Sequence, residues 1–308
     1  MCVVAAKYFS DTGWVLAKNR DRNYEPTIKM VQKKDGGTER LYLFDMQTGY
    51  SEGVNEHGIA IVSAATAVKA DEKEAKEKKA KANGTSKDGK RIRRALLQKT
   101  AKGALDDLIS TKIPGNTFVT DGKVCYLLES GYGNEEDREE GNYHHKVLKL
   151  ERNKTYVRTN HGIMLPQLGY QLNQDHMRHK RVSSDSRYDI ALQNATKAKD
   201  PQELLNSLGV TPKSDPQLNP IRLKKNKPED MLTTGQILII PSQHTLTYRP
   251  TLSEVELDNY NKINGVASNT YFEIISNRQL TTFKDFVKSL CNLVPLSKKQ
   301  LILNRTCI

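Results

Sequence analysis

The chain has 308 residues, 37% hydrophobic and 27% charged, enough apolar sequence for one large globular domain or two small ones and too much for disorder along its whole length. Its net charge of +12 and isoelectric point near 9.3 suit an anionic partner, whether nucleic acid, an anionic membrane surface or an acidic substrate, without choosing among them. Cys2, Cys125, Cys291 and Cys307 are far apart and make no CxxC pair, which argues against a structural zinc site or a dense disulfide framework and for reduced thiols.

Residues Cys2 to Phe9 and Trp14 to Asn19 are β-branched and aliphatic runs on either side of Ser10-Asp11-Thr12-Gly13, which predicts an antiparallel hairpin. Such a hairpin pairs the first residues of one strand with the last of the other, so Asp21 comes back beside Cys2. Leu41 to Phe44 predicts another strand. Gly53 to Ala65 predicts a turn at Asn55-Glu56-His57-Gly58 that feeds a buried strand from Ile59 to Ala64. The composition then changes over residues 68–103, where Lys and Glu crowd with Ala around a break at Asn83-Gly84-Thr85-Ser86. After it Ile92, Leu96, Leu97, Leu105, Leu108 and Ile109 recur at helical spacing. The expectation is a charged insertion or lid followed by one amphipathic helix that ends before Pro114.

Asn116 to Thr120, an Asp121-Gly122 turn and Lys123 to Glu129 predict a second hairpin, followed by an acidic, Gly-rich loop from Gly131 to Gly141. Strands are predicted at Tyr143 to Leu150, Thr155 to Asn160, Ile237 to Pro241, Thr245 to Arg249 and Thr270 to Ile275. Helices are predicted at Asp189 to Leu208, broken at Asp200-Pro201, and at Thr282 to Leu293. Strands, then helices, then more strands and a closing helix point to α+β or a layered fold with antiparallel sheets. No apolar run nears the roughly 20 residues of a membrane-spanning helix, and the N-terminus lacks the basic region and apolar core of a signal peptide. A cytoplasmic protein without membrane association is expected.

The chemistry starts at Cys2. Once the initiator Met1 is removed, one residue carries both a thiol and an α-amine, with ordinary pKa values of about 8.5 and about 7.7 to 8.0. The amine can then take the thiol proton, directly or through one water, and the residue activates itself. On its own, Cys2 reads more simply as a small apolar residue opening a strand. Neither the adjacent His144-His145 nor His176 and His179 has acidic partners placed to complete a metal site, so no metal is expected. The basic segment from Lys69 to Lys102 lacks interleaved aromatics and carries Asp and Glu, so it reads first as a solvated face. An anionic ligand and a charged lid are its other readings.

Taken in order, several motifs form a set: Met1-Cys2, Lys18-Asn19-Arg20-Asp21, Gly53 to Ala60, Asn116 to Glu129, Arg158-Thr159-Asn160-His161 and Ser183 to Tyr188. The set resembles the cysteine N-terminal nucleophile (Ntn) hydrolases, the family of bile salt hydrolases, penicillin V acylases and isopenicillin N acyltransferases. The resemblance runs from residue 2 to about residue 190 and thins beyond. It implies a four-layer αββα sandwich in a single domain, residues 1–308, with no cofactor. It also implies cleavage or transfer of an acyl group at a non-peptide amide of a small molecule through an acyl-thioester on Cys2. By analogy with relatives, a homo-oligomer is expected.

Residue by residue, the resemblance makes Cys2 the nucleophile, its α-amine the base and Asp21 the acceptor of the amine's hydrogen bond. Asn160 would donate to the oxyanion, with a backbone N–H at Ala64 or Ala65 as second donor, and Arg187 would lower the thiol pKa. Two departures stand out. Lys18 replaces the Arg of bile salt hydrolases, so a planar fork becomes a point charge. Ser63-Ala64-Ala65-Thr66 stands where those enzymes carry an asparagine, which speaks against bile salts and leaves the second oxyanion donor to the backbone. The alternative to an enzyme is a basic structural or polyanion-binding protein that keeps the fold, and the two readings part on whether Met1 leaves.

Overall fold

Val3, Ala5 and Phe9 lie on one side of the first strand and Cys2, Val4 and Ala6 on the other, and both sets are buried. A strand buried on both faces must be covered twice, and this requirement generates the layers. The structure, a computed structural model, describes residues 2–66, 87–251 and 274–276. The chain divides into two compact units, Met1–Ile275 and Ser276–Ile308, and the layers and the candidate site belong to the first.

The elements begin with β1 (Cys2–Phe9), β2 (Gly13–Arg22), β3 (Ile28–Asp35), β4 (Thr38–Asp45), β5 (Ser51–Asn55) and β6 (Ala60–Ala64). Then come α1 (Lys87–Ala95), α2 (Ala101–Ser110), β7 (Gly115–Thr120), β8 (Cys125–Gly131), α3 (Glu135–Glu140), β9 (His144–Lys149) and β10 (Tyr156–Arg158). The long α4 (Asp175–Lys197), α5 (Pro201–Ser207), β11 (Leu232–Ile240), β12 (Thr245–Pro250) and β13 (Ile274–Ser276) complete the series. One sheet runs β10-β1-β2-β11-β12, with the short β13 at its edge. The other is a meander in sequence order from β3 to β9. The described strand pairings are antiparallel.

Between the sheets, Val4, Trp14, Leu16 and Ile237 meet Val54, Val62, Phe118 and Leu127. On the outer face of the first sheet, Val3, Val15, Ala17 and Leu238 pack with Ala191 and Ala195 of α4 and Leu204 and Leu205 of α5. On the outer face of the second, Ile61, Val119 and Leu128 pack with Ile92 of α1 and Ala104, Leu105 and Leu108 of α2. The fold is therefore α+β, a four-layer αββα sandwich with antiparallel sheets. No helix among the described residues is long and apolar enough to cross a membrane.

The local signals fail at a few places, each for a physical reason. The single helix expected before Pro114 is two: Asn55 Nδ2 donates to the Leu96 and Gln98 carbonyls (2.9 and 2.8 Å) at the end of α1, and Thr100 Oγ1 caps a fresh start at Gly103 N (3.0 Å). The helix expected from Asp189 begins at Asp175, because its first half buries Ser183, Ser184 and Arg187 instead of an apolar stripe. The acidic loop contains α3, capped by Asn134 and closed by Gly141 at φ 78°. The expectations falling on residues 67–86, including most of the charged insertion, lie outside the described residues, as do the helix at Thr282 to Leu293 and the start of the strand before Ile274.

Phe118 of β7 is fully buried in the inter-sheet core. Phe118→Ala is expected to lower the unfolding free energy by about 3 to 5 kcal/mol in urea denaturation. A loss below about 1 kcal/mol would contradict a closed layer between the sheets.

Candidate active site

The pleat of β2 sorts its residues by face. Trp14 and Leu16 point between the sheets, and so do Lys18, Arg20 and Arg22; Val15 and Ala17 point toward α4 and α5, and so do Asn19 and Asp21. Cys2 lies opposite Arg20 in the β1–β2 ladder, with its side chain in the inter-sheet core. Three basic residues thus enter a dry layer beside the thiol, and each is partnered, as buried charge must be. Lys18 Nζ forms an ion pair with Glu52 of β5 and donates to the Ser63 carbonyl at 2.7 Å. Arg20 reaches Asp45 at 3.3 Å and Glu52 at 3.5 Å. Arg22 Nε lies 3.6 Å from Asp45, and its Nη1 donates to the Asp21 carbonyl at 2.8 Å and lies 3.7 Å from Cys2 Sγ. The Tyr50 ring carries Lys18 Nζ at 5.1 Å and the Arg22 guanidinium at 5.7 Å from its centroid.

This environment sets the thiol. Burial alone would raise the Cys2 pKa, but the positive charges of Lys18, of the chain's terminal ammonium and of Arg22 outweigh it and hold it at about 7. Glu52 follows the same logic: burial opposes ionisation, Lys18 and Arg20 favour it, and its carboxyl is lowered. Cys125, buried without such cations, is pushed well above the usual thiol range.

On the other face of β2, Asn160 Oδ1 accepts hydrogen bonds from Cys2 N at 2.8 Å and Arg187 Nη2 at 3.3 Å. Its Nδ2 donates to the Ala65 carbonyl at 2.7 Å, which uses one of the amide's two N–H groups. The backbone around Asn160 is tied on both sides. Asn116 Nδ2 donates to the Thr159 and His161 carbonyls, both at 2.9 Å, and Asn160 N donates to Ser184 Oγ at 3.1 Å. His161 Nδ1 meets the same Ser184 hydroxyl at 2.9 Å. Burial and then the charge of Arg181 push His161 down to about 4, so it is a neutral hydrogen-bonding group near neutral pH. Glu129 anchors the flanks, accepting from Leu165 N at 2.6 Å and lying 3.6 Å from Arg158.

Asp21 is enclosed: Thr233 Oγ1 donates to one carboxylate oxygen at 2.7 Å, while Arg187 Nη1 (3.0 Å) and Arg222 Nη1 (3.5 Å) face the other. Arg222 also donates to Ser183 Oγ at 2.6 Å and to the Gln217 carbonyl at 3.1 Å.

Cys2, Lys18, Asp21, Asn160 and Arg187, separated by up to most of the chain, therefore come together around one strand end. The acceptor for Cys2 N is Asn160, whereas Asp21 holds arginines. The side-chain cations lowering the thiol are Lys18 and Arg22, while Arg187 ties Asn160 to Asp21. Ala64 pairs with Asn116 in the β6–β7 ladder, and Ala65 offers its carbonyl to Asn160. Asn55, by contrast, serves the turn: its Oδ1 accepts from His57 N and Ile59 N, both at 2.9 Å. Four residues of the site escaped sequence reasoning: Arg22, Glu52, Arg222 and Thr233. Arg22 continues the alternation of Lys18 and Arg20 and could have been found that way; Arg222 lies in an irregular segment with no periodicity to flag it. Among the described residues no group of three His, Cys, Asp or Glu side chains is placed to hold a metal ion.

No family model and no curated protein sequence matches the chain. Several solved structures are similar to it. A variant of the conjugated bile acid hydrolase from Clostridium perfringens aligns at 12% identity and a TM-score of 0.49, covering 90% of this chain and 97% of that one. Penicillin V acylase from Agrobacterium tumefaciens aligns at 13% identity and 0.48, covering 82% and 84%. The Caenorhabditis elegans ortholog of N-acylethanolamine-hydrolyzing acid amidase aligns at 14% and 0.44, covering 79% and 93%. These three are cysteine Ntn hydrolases.

Iodoacetamide is expected to alkylate Cys2 with a pH midpoint near 7 and to leave native Cys125 unmodified. Arg22→Gln removes a positive charge beside Sγ, so the midpoint should move to higher pH and labelling at neutral pH should slow. An unchanged midpoint, read by mass spectrometry of the labelled peptide, would remove Arg22 from the account.

Proposed function

We propose that the chain, once Met1 is removed, is a cysteine N-terminal nucleophile enzyme that cleaves a non-peptide amide of a small molecule through an acyl-thioester on Cys2. One observation carries this reading: the residue whose thiol is pulled down by Lys18 and has Arg22 Nη1 at 3.7 Å also has its nitrogen 2.8 Å from Asn160 Oδ1, on a strand end surrounded by buried charges. A single residue then presents nucleophile and base in fixed geometry, which is what self-activated acyl transfer needs.

The steps balance within that geometry. The uncharged α-amine takes the proton from Sγ as the sulfur attacks the carbonyl carbon, and the carbonyl electrons move onto oxygen. The second N–H of the Asn160 amide and a backbone N–H at Ala64 or Ala65 serve as donors to that oxygen. As the tetrahedral adduct collapses, the C–N bond breaks and the ammonium returns its proton to the leaving nitrogen. The thioester is then attacked by a water, whose proton passes to the amine while Sγ departs; an acceptor amine in place of water gives acyl transfer. Lys18 and Arg22 favour the thiolate whenever it is the leaving or attacking group. Asp21 and Arg187 hold Asn160 and the Cys2 nitrogen in register.

The intact mass of the purified chain is expected to begin at Cys2, and quantitative retention of Met1 would sink the mechanism. Against a panel of N-acyl amides, at least one should turn over and leave a transient acyl adduct on Cys2, and Cys2→Ala should abolish both. Asn160→Ala is expected to lower kcat by about 100- to 1,000-fold with a smaller effect on KM, the pattern of a lost oxyanion donor.

A further inference from the structure

Asp45, at the end of β4, is fully buried and takes bonds from two directions. Its Oδ1 accepts from Gln47 N at 3.1 Å and Thr48 N at 3.2 Å, an Asx turn that ties the carboxylate to its own backbone. Its Oδ2 faces β2: it accepts from Tyr24 Oη at 2.7 Å and Arg20 Nη2 at 3.3 Å and lies 3.6 Å from Arg22 Nε. Burial opposes ionisation of Asp45, but the Tyr24 hydroxyl and then the charges of Arg20 and Arg22 outweigh it, and the carboxyl is lowered. The Tyr24 phenol, raised first by burial, stays uncharged and donates. One carboxylate oxygen is thus locked to a turn, and the other is a fixed anchor for the side chains of β2.

Arg22 is the residue that needs such an anchor. Lys18 and Arg20 are fully buried, whereas the Arg22 side chain at the strand end is 15% exposed and has solvent as an alternative. Its Nη1 reaches Cys2 Sγ at 3.7 Å, a long contact that a small rotation of a flexible side chain would lose. Asp45 meets the same guanidinium at Nε. The other groups acting on the thiol are held elsewhere. Lys18 rests on Glu52 and the Ser63 carbonyl, Asp21 on Thr233 and Arg187, and Arg187 on Asp21 and Asn160. Tyr50 and Tyr170 are both raised, first by burial, and stay uncharged.

We propose that Asp45, braced by the Tyr24 hydroxyl, is a positioning residue for the Cys2 thiol: it fixes the Arg22 guanidinium so that Nη1 stays against Sγ and supports the thiolate. The sign of its effect separates this role from mere proximity. A carboxylate that is only near a thiol raises the thiol pKa, so its removal lowers it. A carboxylate that holds a cation on the thiol acts the other way, and its removal raises the pKa.

The proposal rests on the reading of Cys2 as the nucleophile, but its test reads alkylation of the thiol and needs no turnover, so failure to find an amide substrate and failure of this proposal give different results. The rate of iodoacetamide labelling at Cys2 is followed against pH in the full-length chain, with wild type and variants matched for their N-terminal residue by intact mass. Asp45→Asn is expected to raise the labelling midpoint by about half a unit or more. In an Arg22→Gln background the same substitution should give no further rise. Tyr24→Phe keeps every charge and should produce a smaller rise, also absent in the Arg22→Gln background. A loss of stability alone does not move the midpoint of the folded chain. An Asp45→Asn midpoint equal to or below wild type overturns the proposal, as does a full rise in the Arg22→Gln background. If Asp45→Asn does not fold, Tyr24→Phe decides, and a midpoint at or below wild type overturns the proposal.

Discussion

Everything in the site depends on a strand that is buried on both faces and yet charged on both. In β2, Lys18, Arg20 and Arg22 enter the layer between the sheets, while Asp21 enters the layer under α4. Buried charge is tolerated only where a partner meets it, so each of these residues dictates something on another element. Lys18 and Arg20 require Glu52 on β5; Arg20 and Arg22 require Asp45 at the end of β4; Asp21 requires Arg187 on α4 and the hydroxyl of Thr233 on β11. These contacts run from one strand into both neighbouring layers, and Cys2 sits at the edge where they converge.

The same arrangement gives the two ends of Cys2 different surroundings. Its sulfur faces cations balanced by Glu52 and Asp45, an environment that admits a thiolate. Its nitrogen donates to Asn160 Oδ1, which also accepts from Arg187. The two ends of Cys2 are therefore set by side chains fixed in separate layers.

The motif residues sort into two kinds. Asn116, Glu129 and Ser184 hold the backbone on either side of Asn160. Asn55 closes a turn and ends α1. In sequence these polar residues look alike, and each could have been taken for chemistry or for a turn. Geometry separates them: Asn116 and Asn55 donate to carbonyls of loops and helix ends, whereas Asn160 accepts from the nitrogen of Cys2 itself.

By itself, the sequence determined the strand-forming runs, both hairpins and the α+β character, because alternation of apolar residues and Gly- or Asp-rich turns are local properties that survive without tertiary context. It also determined which side chains were candidates, through the order of Cys2, Lys18, Asp21, Asn160 and Arg187. The polar first half of α4 was not legible as helix, since its buried face is made of Ser183, Ser184 and Arg187 and shows no apolar period. Nor was the edge strand β3, whose exposed lysines hide its pattern. Only the tertiary structure decided who meets whom: that Asn160 takes the Cys2 nitrogen, that Arg22 lies at the thiol, and that Arg222 joins Arg187 on Asp21. Ion pairing between layers depends on distances through space, and local periodicity carries no information about them.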